Sequence, residues 1–400
     1  MNQSVVNSQK IEEVLTRGVE TIYPSRDELR KALASGRRLR IYLGADPTGV
    51  HLHLGTLTNL LTLKRLQSLG HEIIFLIGDF TAQIGDPTDK LSARQPLAPS
   101  EIKANMKTFK TQVGRILRFS GRNAARLELN SKWLSKMTLK DVLELTQKFT
   151  VQQMIIRDMF QERIKENKPV GVHEFLYPLM QGYDSVAMDV DAEVGGNDQT
   201  FNMLVGRDLL RTYKNKEKFV ITTRLLLNPK TGKKLMNKSE GGMINLDDDP
   251  AEMFGKIMAL DDSATTPLAE FSSEISMEDV RSLSSLHPRD AKLKVACAVV
   301  KTIFGEVAAK KAEASFVSVF SKKEDPKGVS LIHIGRKNAS LIDIVMATNF
   351  VSSKNEAKRL IIQGGVKIDG MKKLNEEEMF SLEKELLLQI GKHHFVRIGL

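Results

Sequence analysis

"RIYLGADPTGVHLHLGTLTNLLTLKRL" (residues 40–66) decides the fold. "RLRIYLG" at 38–44 reads as a buried strand, and Leu54, Leu57, Leu60, Leu61, Leu63 and Leu66 cover much of a helical wheel running from Leu54 to Leu69. "HEIIFLIGDF" at 71–80 then supplies a second strand. Strand, helix and strand in succession make a βαβ unit with parallel pairing, and the first half of the chain keeps alternating in this way, so the fold class is α/β. The turn between the first strand and its helix lies at the carboxyl end of a parallel strand. Ligands bind there in α/β sheets, and the unpaired N–H groups of the helix attract phosphate. His53 and Gly55 stand at that point. Gly55 lets a ligand approach the backbone, and an imidazole can stabilise charge on a phosphoryl oxygen without becoming a covalent intermediate. A plain turn with two solvent-facing histidines, His51 and His53, is the alternative. Neither a GxxxxGK[ST] loop nor a GxGxxG fingerprint is present, so the common nucleotide cradles are excluded.

Working outward, Ser100 is the expected N-cap of an amphipathic helix after Pro99 whose buried face carries Ile102, Met106, Phe109, Val113 and Ile116. In "FLYPLMQGYDSVAMDV" (175–190), Pro178 suits a first helical position. Spacings of four and three then put Tyr177, Gln181 and Asp184 on one face, beside an apolar stripe of Leu179, Tyr183, Val186 and Val190. The polar face reads as the wall of a small pocket or as an ordinary solvent-facing stripe. "VGGNDQTFN" (194–202) follows, its Gly195-Gly196 turn presenting Asp198 and Gln199. "TGKKLMNKSEGG" (231–242) has glycines at both ends of a run holding Lys233, Lys234, Lys238 and Ser239. Such a loop can bring lysines onto a polyphosphate, although an exposed basic loop would have the same composition.

The region from about 250 to 320 is helical in pattern, and "SKKEDPKGVS" (321–330) resembles a linker. Beyond it, Ser340 with Asp343 and Ser353 with Glu356 start two short helices, Gly364-Gly365 stops the second, and Asp369-Gly370 offers a hairpin turn. Residues 336–400 hold 11 Lys and Arg against 8 Asp and Glu. The acids gather at 376–385 while Lys354, Lys358, Arg359 and Lys367 surround the second helix and the hairpin, as either an RNA-binding face or a solvated surface helix.

Composition sets the outer limits. The chain's 400 residues, 41% hydrophobic and 27% charged, can bury the cores of two or three domains. A formal charge of +10 favours a polyanionic partner. Cys297 is the single cysteine, which excludes an intrachain disulfide framework and a cysteine zinc site and is expected of a cytoplasmic protein. Apolar runs such as "IIFLI" (73–77) are far too short to span a bilayer, and the polar opening reads as neither a signal nor a transit peptide, so no membrane partner is expected.

Taken in order, these stretches resemble the class I aminoacyl-tRNA synthetases, and in detail the bacterial-type tyrosyl-tRNA synthetase family, from about residue 12 to the C-terminus. "YLGADPTGVHLHLG" is similar to the family's "Y-x-G-x-DPT…H-x-G-H" signature. "TAQIGDPT", "NSKW", "FLYPLMQGYDS" and "GGNDQ" match its amino-acid site, and "LMNKS" resembles its KMSKS loop. The C-terminal segment is similar to an S4-type RNA-binding domain. The resemblance implies a Rossmann-like parallel-sheet catalytic domain (1–230), a signature lysine loop and α-helical anticodon-binding domain (231–325), a linker (326–335) and a small α+β S4-type domain (336–400). It implies a tyrosine-tRNA ligase that uses L-tyrosine, ATP with Mg2+ and tRNA(Tyr) as a homodimer, with no metal bound by the protein itself.

By the same resemblance, Tyr42 and Asp184 would grip the phenolic hydroxyl of tyrosine. Tyr177, Gln181 and Asp86 would hold its ammonium group, Gln199 would lie near its carboxylate and the ribose, and Thr81 and Asn130 would line the pocket. Thr48 and His53 would bind the ATP phosphates, helped by Lys90, Arg94 and Lys238. Gly44, Asp46, Gly55 and Asp198 would complete the ATP site. Lys354, Lys358, Arg359 and Lys367 would meet RNA. Two positions depart from the family pattern. Thr56 stands where the signature has a second histidine, and Leu235 stands where the lysine loop begins with lysine, with Lys234 displaced by one. Thr56 and Lys234 are expected to serve in place of the missing groups. Two other readings stay open at this point: an RNA-binding protein that kept the scaffold without the chemistry, and a ligase for another aromatic amino acid.

Overall fold

In the computed structural model, which describes residues 3–88, 97–236, 242–321, 331–348, 350–351, 353–391 and 394–400, the opening stretch becomes the middle of a sheet. Its strands are β1 (Val19–Tyr23), β2 (Arg40–Ala45), β3 (Glu72–Ile77), β4 (Arg126–Leu129), β5 (Ala192–Gly196) and β6 (Phe219–Thr223), in the order β1-β6-β5-β2-β3-β4. Only the β1–β6 edge pair in this sheet is antiparallel. β3 and β5 are almost wholly buried, as parallel strands covered by helices on both faces must be.

The chain runs from β2 outward to β3 and β4, then crosses back to lay β5 on the other side of β2 and continues to β6. The strand order therefore reverses between β2 and β5, and the crevice at their carboxyl ends is where such sheets take ligands. The helix Leu54–Ser68, entered directly from the turn after β2, packs against β2, β3 and β5 on one side and against the helix Thr265–Ser272 on another. Burial on two sides explains why its leucines ring the wheel instead of forming one stripe.

Two local expectations are corrected. The segment after Pro99 is a helix Pro99–Asn105, a 3₁₀ turn Met106–Thr108 and a second short helix Phe109–Val113. Ala98, not Ser100, occupies the cap, because proline's fixed φ and missing N–H suit the first helical position and move the boundary back. Ile102, Phe109, Val113 and Ile116 are buried as expected, while Met106 is only half-buried. Pro178 does not start its helix, which runs from Val172 to Met188. The true start is fixed by Glu174, whose carboxylate accepts the Gly171 N–H at 2.8 Å and is clamped by both Nη atoms of buried Arg163 at 2.6 and 2.9 Å. This buried, bidentate anchor holds the first turns and carries the helix through a proline that lacks an N–H to donate.

The chain divides into two compact units, Met1–Ala309 and Lys310–Leu400. The first includes the helices Pro250–Ala259, Thr265–Ser272, Met277–Ser282 and Pro288–Phe304. In the second, β7 (Leu331–His333), β8 (Asn338–Ser340), β9 (Val366–Ile368), β10 (Met371–Lys372), β11 (Met379–Ser381), β12 (Leu386–Ile390) and β13 (His394–Gly399) accompany the helices Leu341–Ala347 and Lys354–Ile362. Leu341, Ile344, Val345, Ile361, Val366, Leu388 and Ile398 form its core. Ser340 and Ser353 cap the two helices through the N–H groups of Asp343 and Glu356, and the β9–β10 turn places Asp369 and Gly370 at φ of 49° and 79°, as its two residues require. β7 falls inside the expected linker 326–335, because its backbone pairs in parallel with β13; residues 322–330 lie outside the described residues.

Candidate active site

At the β2–β5 reversal lies a cavity of about 410 Å³, large enough for an amino acid joined to a nucleotide. Every described residue expected in the tyrosine and ATP sites lines it: Tyr42, Gly44, Asp46, Thr48, His53, Gly55, Thr56, Thr81, Asp86, Asn130, Tyr177, Gln181, Asp184, Asp198, Gln199 and Lys234. Lys90, Arg94 and Lys238 lie outside the described residues.

The deep end is built by β2 and the helix Val172–Met188. Leu179 and Val186 turn that helix's apolar stripe into a core with Val205, Leu209 and Leu210, which forces the opposite stripe toward the sheet. Tyr177 and Asp184 are consequently buried instead of solvent-facing. Val190 lies beyond the helix end and packs with Tyr42, Ile74, Leu76 and Met188. Asp184 accepts hydrogen bonds from Trp133 Nε1 at 2.8 Å and Asn130 Nδ2 at 3.3 Å. Burial pushes its carboxyl pKa well above the ordinary value, against the pull of those two donors. The Tyr42 hydroxyl, fully buried, lies 3.0 Å from Ser185 Oγ; burial and the nearby Glu193 charge raise its pKa as well.

Farther out, two carboxylates face the cavity. Asp86 accepts from Gln199 Nε2 at 2.6 Å and from the Thr88 N–H and hydroxyl at 3.0 and 2.6 Å. Asp46, expected beside the triphosphate, accepts from the Tyr177 hydroxyl at 2.9 Å and the Thr81 hydroxyl at 2.7 Å, both from the expected tyrosine set. Gln181 donates to Glu193 at 3.2 Å and accepts from Asn202 at 2.9 Å. This end of the cavity suits a cation.

The nucleotide end is set by His53, in extended conformation at the cap of the helix Leu54–Ser68. Its Nδ1 accepts the Gly55 N–H at 3.1 Å. Burial, and then the charge of Lys234, lower the imidazole pKa, so the ring is neutral at pH 7 and its one proton sits on Nε2 as a donor. A Cβ at residue 55 would come within 2.9 Å of the ring, so glycine is needed for this approach. Leu54 N–H bonds to the Ile244 carbonyl at 3.0 Å, pinning the turn. His51 is separate: it is exposed, lies 2.8 Å from Asp247 and is not among the lining residues. Lys234 forms an ion pair with Asp198 at 2.6 Å, while Leu235 is buried and its N–H bonds to the Leu226 carbonyl. The apolar residue at the departed position thus anchors the loop and leaves its neighbour to face the cavity.

Sequence reasoning missed Glu193 and Lys218, and gave no role to Trp133, Ser185 or Asn202, although all three lie within its motifs. Lys218 carried no signal of its own, because it closes the charged run "KNKEK" (214–218). In the second unit Lys354 and Arg359 are exposed, Lys367 is half-buried and Lys358 pairs with Glu376 at 2.7 Å. Among the described residues no group of three His, Cys, Asp or Glu side chains could hold a metal, and no helix is long and apolar enough to cross a membrane.

The family model for class I tRNA synthetases (W and Y) matches residues 34–321. The tyrosine--tRNA ligase of Moorella thermoacetica is 40% identical over 394 residues, covering 96% of this chain and 94% of its own. That of Aquifex aeolicus is 38% identical over 373 residues, covering 93% and 94%. The C-terminally truncated mitochondrial tyrosyl-tRNA synthetase of Coccidioides posadasii superposes with a TM-score of 0.63 at 25% identity, over 78% of this chain and 95% of that one. With the family model spanning most of the chain and these relatives aligning along nearly all of it, the chain belongs to the class I tRNA synthetases of the tryptophan and tyrosine type.

Proposed function

We infer that the chain is a tyrosine-tRNA ligase. It activates L-tyrosine with ATP and transfers it to the 3′ end of tRNA(Tyr). In the first step a carboxylate oxygen of tyrosine attacks the α-phosphorus of Mg-ATP, the bond to the bridging oxygen breaks, and pyrophosphate leaves. In the second a hydroxyl of the terminal ribose attacks the tyrosyl carbonyl and AMP leaves. No side chain becomes covalent; the protein positions both substrates and stabilises developing charge.

The observation that carries this reading is one cavity holding Tyr42 and Asp184 at its deep end and neutral His53 at the other. In it Tyr42 and Asp184 take the phenolic hydroxyl, and Asp86, Tyr177 and Gln181 take the ammonium group. Asn130 and Thr81 brace the wall, and Gln199 lies near the carboxylate. Thr48, Gly44, Asp46, Gly55, Thr56, Asp198 and Lys234 serve ATP with His53, together with Lys90, Arg94 and Lys238. Phenylalanine is rejected because it leaves buried polar groups without a partner. Tyrosyl-tRNA synthetase is itself a standard illustration of that rule. Magnesium enters with ATP as part of the substrate, and no metal is assigned to the protein. The test is ATP–pyrophosphate exchange with tyrosine, phenylalanine and tryptophan in turn. Exchange with tyrosine is expected; exchange with tryptophan only, or RNA binding without exchange, would overturn the reading.

The domain reading is retained as a proposal: residues 1–230 for chemistry, 231–325 for the lysine loop and anticodon, and 336–400, with Lys354, Lys358, Arg359 and Lys367, for RNA, in a cytoplasmic enzyme. A homodimer is proposed on the exposure of Leu139, Leu143, Val151, Ile156 and Val172, each more than half exposed although strongly apolar and close in sequence. Ile156→Glu with Val151→Glu is expected to halve the mass seen by sedimentation equilibrium. A wild-type chain that already sediments as a monomer would refute the dimer.

A further inference from the structure

Lys218 immediately precedes β6 and is completely buried, with Glu193 of β5 beside it almost equally so. Its ammonium forms an ion pair with Glu193, donates to Ser185 Oγ at 2.9 Å and lies 5.8 Å from the centre of the Tyr42 ring. An apolar pair of similar volume would hold a core at least as well as a buried ion pair, so stability alone does not account for these residues. The fold also makes room for them. A Cβ at Gly206 would sit 2.6 Å from Lys218 Nζ and 2.8 Å from Ser185 Oγ, so the facing helix Thr200–Lys214 leaves a slot at the junction.

The proton inventory at that junction has a direction. An ammonium only donates, so Ser185 Oγ is an acceptor from Lys218. Ser185 is fully buried, and its other described partner is the Tyr42 hydroxyl at 3.0 Å. Its own proton therefore goes to Tyr42 oxygen, and the Tyr42 proton has two acceptors within reach, the Glu193 carboxylate, already engaged by the Lys218 ammonium and Gln181 Nε2, and a ligand oxygen in the cavity. Asp184, already accepting from Trp133 and Asn130, offers remaining lone pairs to the same space.

We propose that Lys218, clamped by Glu193, is a specificity-determining positioning residue. Acting through Ser185, it fixes Tyr42 as a hydrogen-bond donor, so that the cavity floor presents one donor and one acceptor to a single hydroxyl. The proposal rests on the tyrosine reading of the site. Without the ammonium, Tyr42 can turn its proton onto Ser185 and meet the ligand with a lone pair, and both floor groups then compete for the one phenolic proton.

The test uses the full-length chain and pyrophosphate exchange with tyrosine and phenylalanine. Lys218→Met with Glu193→Gln removes both charges together, and Ser185→Ala breaks the relay while leaving the ion pair, so one variant suffices if the other fails to fold. Each is expected to lower the tyrosine-to-phenylalanine ratio of kcat/KM by about tenfold or more, with phenylalanine activation little changed, because only a ligand with a hydroxyl uses the relay. A purely structural role would reduce both amino acids alike. An equal fall for both, or an unchanged ratio in a folded variant, overturns the proposal. Failure of the wild-type chain to exchange with tyrosine would instead overturn the functional reading on which it rests.

Discussion

Replacing Asp184 with alanine is expected to lower kcat/KM for tyrosine by a factor on the order of 10²–10³, the largest effect of any change in the amino-acid pocket. The carboxylate is 3% exposed and is held by Trp133 and Asn130. Its loss removes the acceptor for the ligand hydroxyl and strands that hydroxyl in a site closed to water, a combined cost of about 3–4 kcal/mol. The two protein donors are stranded as well, in the free enzyme, which should appear separately as roughly 2 kcal/mol of lost stability in urea. Phenylalanine supplies the control, because it never used the acceptor. Its kcat/KM should change far less than that of tyrosine. If both amino acids lose activity in the same proportion, Asp184 shapes the pocket and does not read the hydroxyl.

Much of this site was legible in the sequence because its parts are local. The strand–turn–helix at 40–66 and the stripe Tyr177, Gln181 and Asp184 declare themselves within about twenty residues, through periodicity and turn chemistry, whereas Gly195 and Gly196, read as a turn, close β5 and the turn is the 3₁₀ segment Asn197–Gln199 that follows. What escaped depends on contacts between distant segments. Glu193 stands on β5, Ser185 on the helix Val172–Met188 and Lys218 just ahead of β6, and only the β5–β6 pairing and the packing of that helix bring them together. Pro178 misled for the same reason. Its propensity was judged locally, while the helix start was fixed by the Arg163–Glu174 clamp inside the fold. Asp46 could be placed near a ligand from its motif, but its bonds to Tyr177 and Thr81 required the helix and the β3 turn to be in place. Leu235 looked like a defect in a lysine loop. Its burial shows that the residue before it carries the charge into the cavity.

At the other end of the cavity, His53→Ala is expected to reduce kcat for adenylate formation by about 10²-fold, with KM for tyrosine nearly unchanged. The ring meets the phosphates and not the amino acid, so its contribution grows as charge develops on the transferring phosphoryl group. Its Nδ1 is occupied by the Gly55 N–H, which leaves Nε2–H as the donor. The pH profile follows from that arrangement. Burial and Lys234 depress the imidazole pKa below its usual 6.5, so the neutral donor form persists through neutral pH. A second proton would have to displace the Gly55 N–H from Nδ1. The acid loss of kcat due to His53 should therefore begin below pH 6.5, and that limb should disappear in His53→Ala. Thr56, one turn into the same helix and also lining the cavity, is expected to contribute less, because a hydroxyl is a shorter and weaker donor than the imidazole it replaces in the family signature. Thr56→Ala should lower pyrophosphate exchange by a few-fold, about one tenth or less of the His53 effect. An unchanged rate would mean that Thr56 only fills space, and a His53→Ala enzyme with wild-type kcat would show that the helix N-terminus alone holds the phosphates.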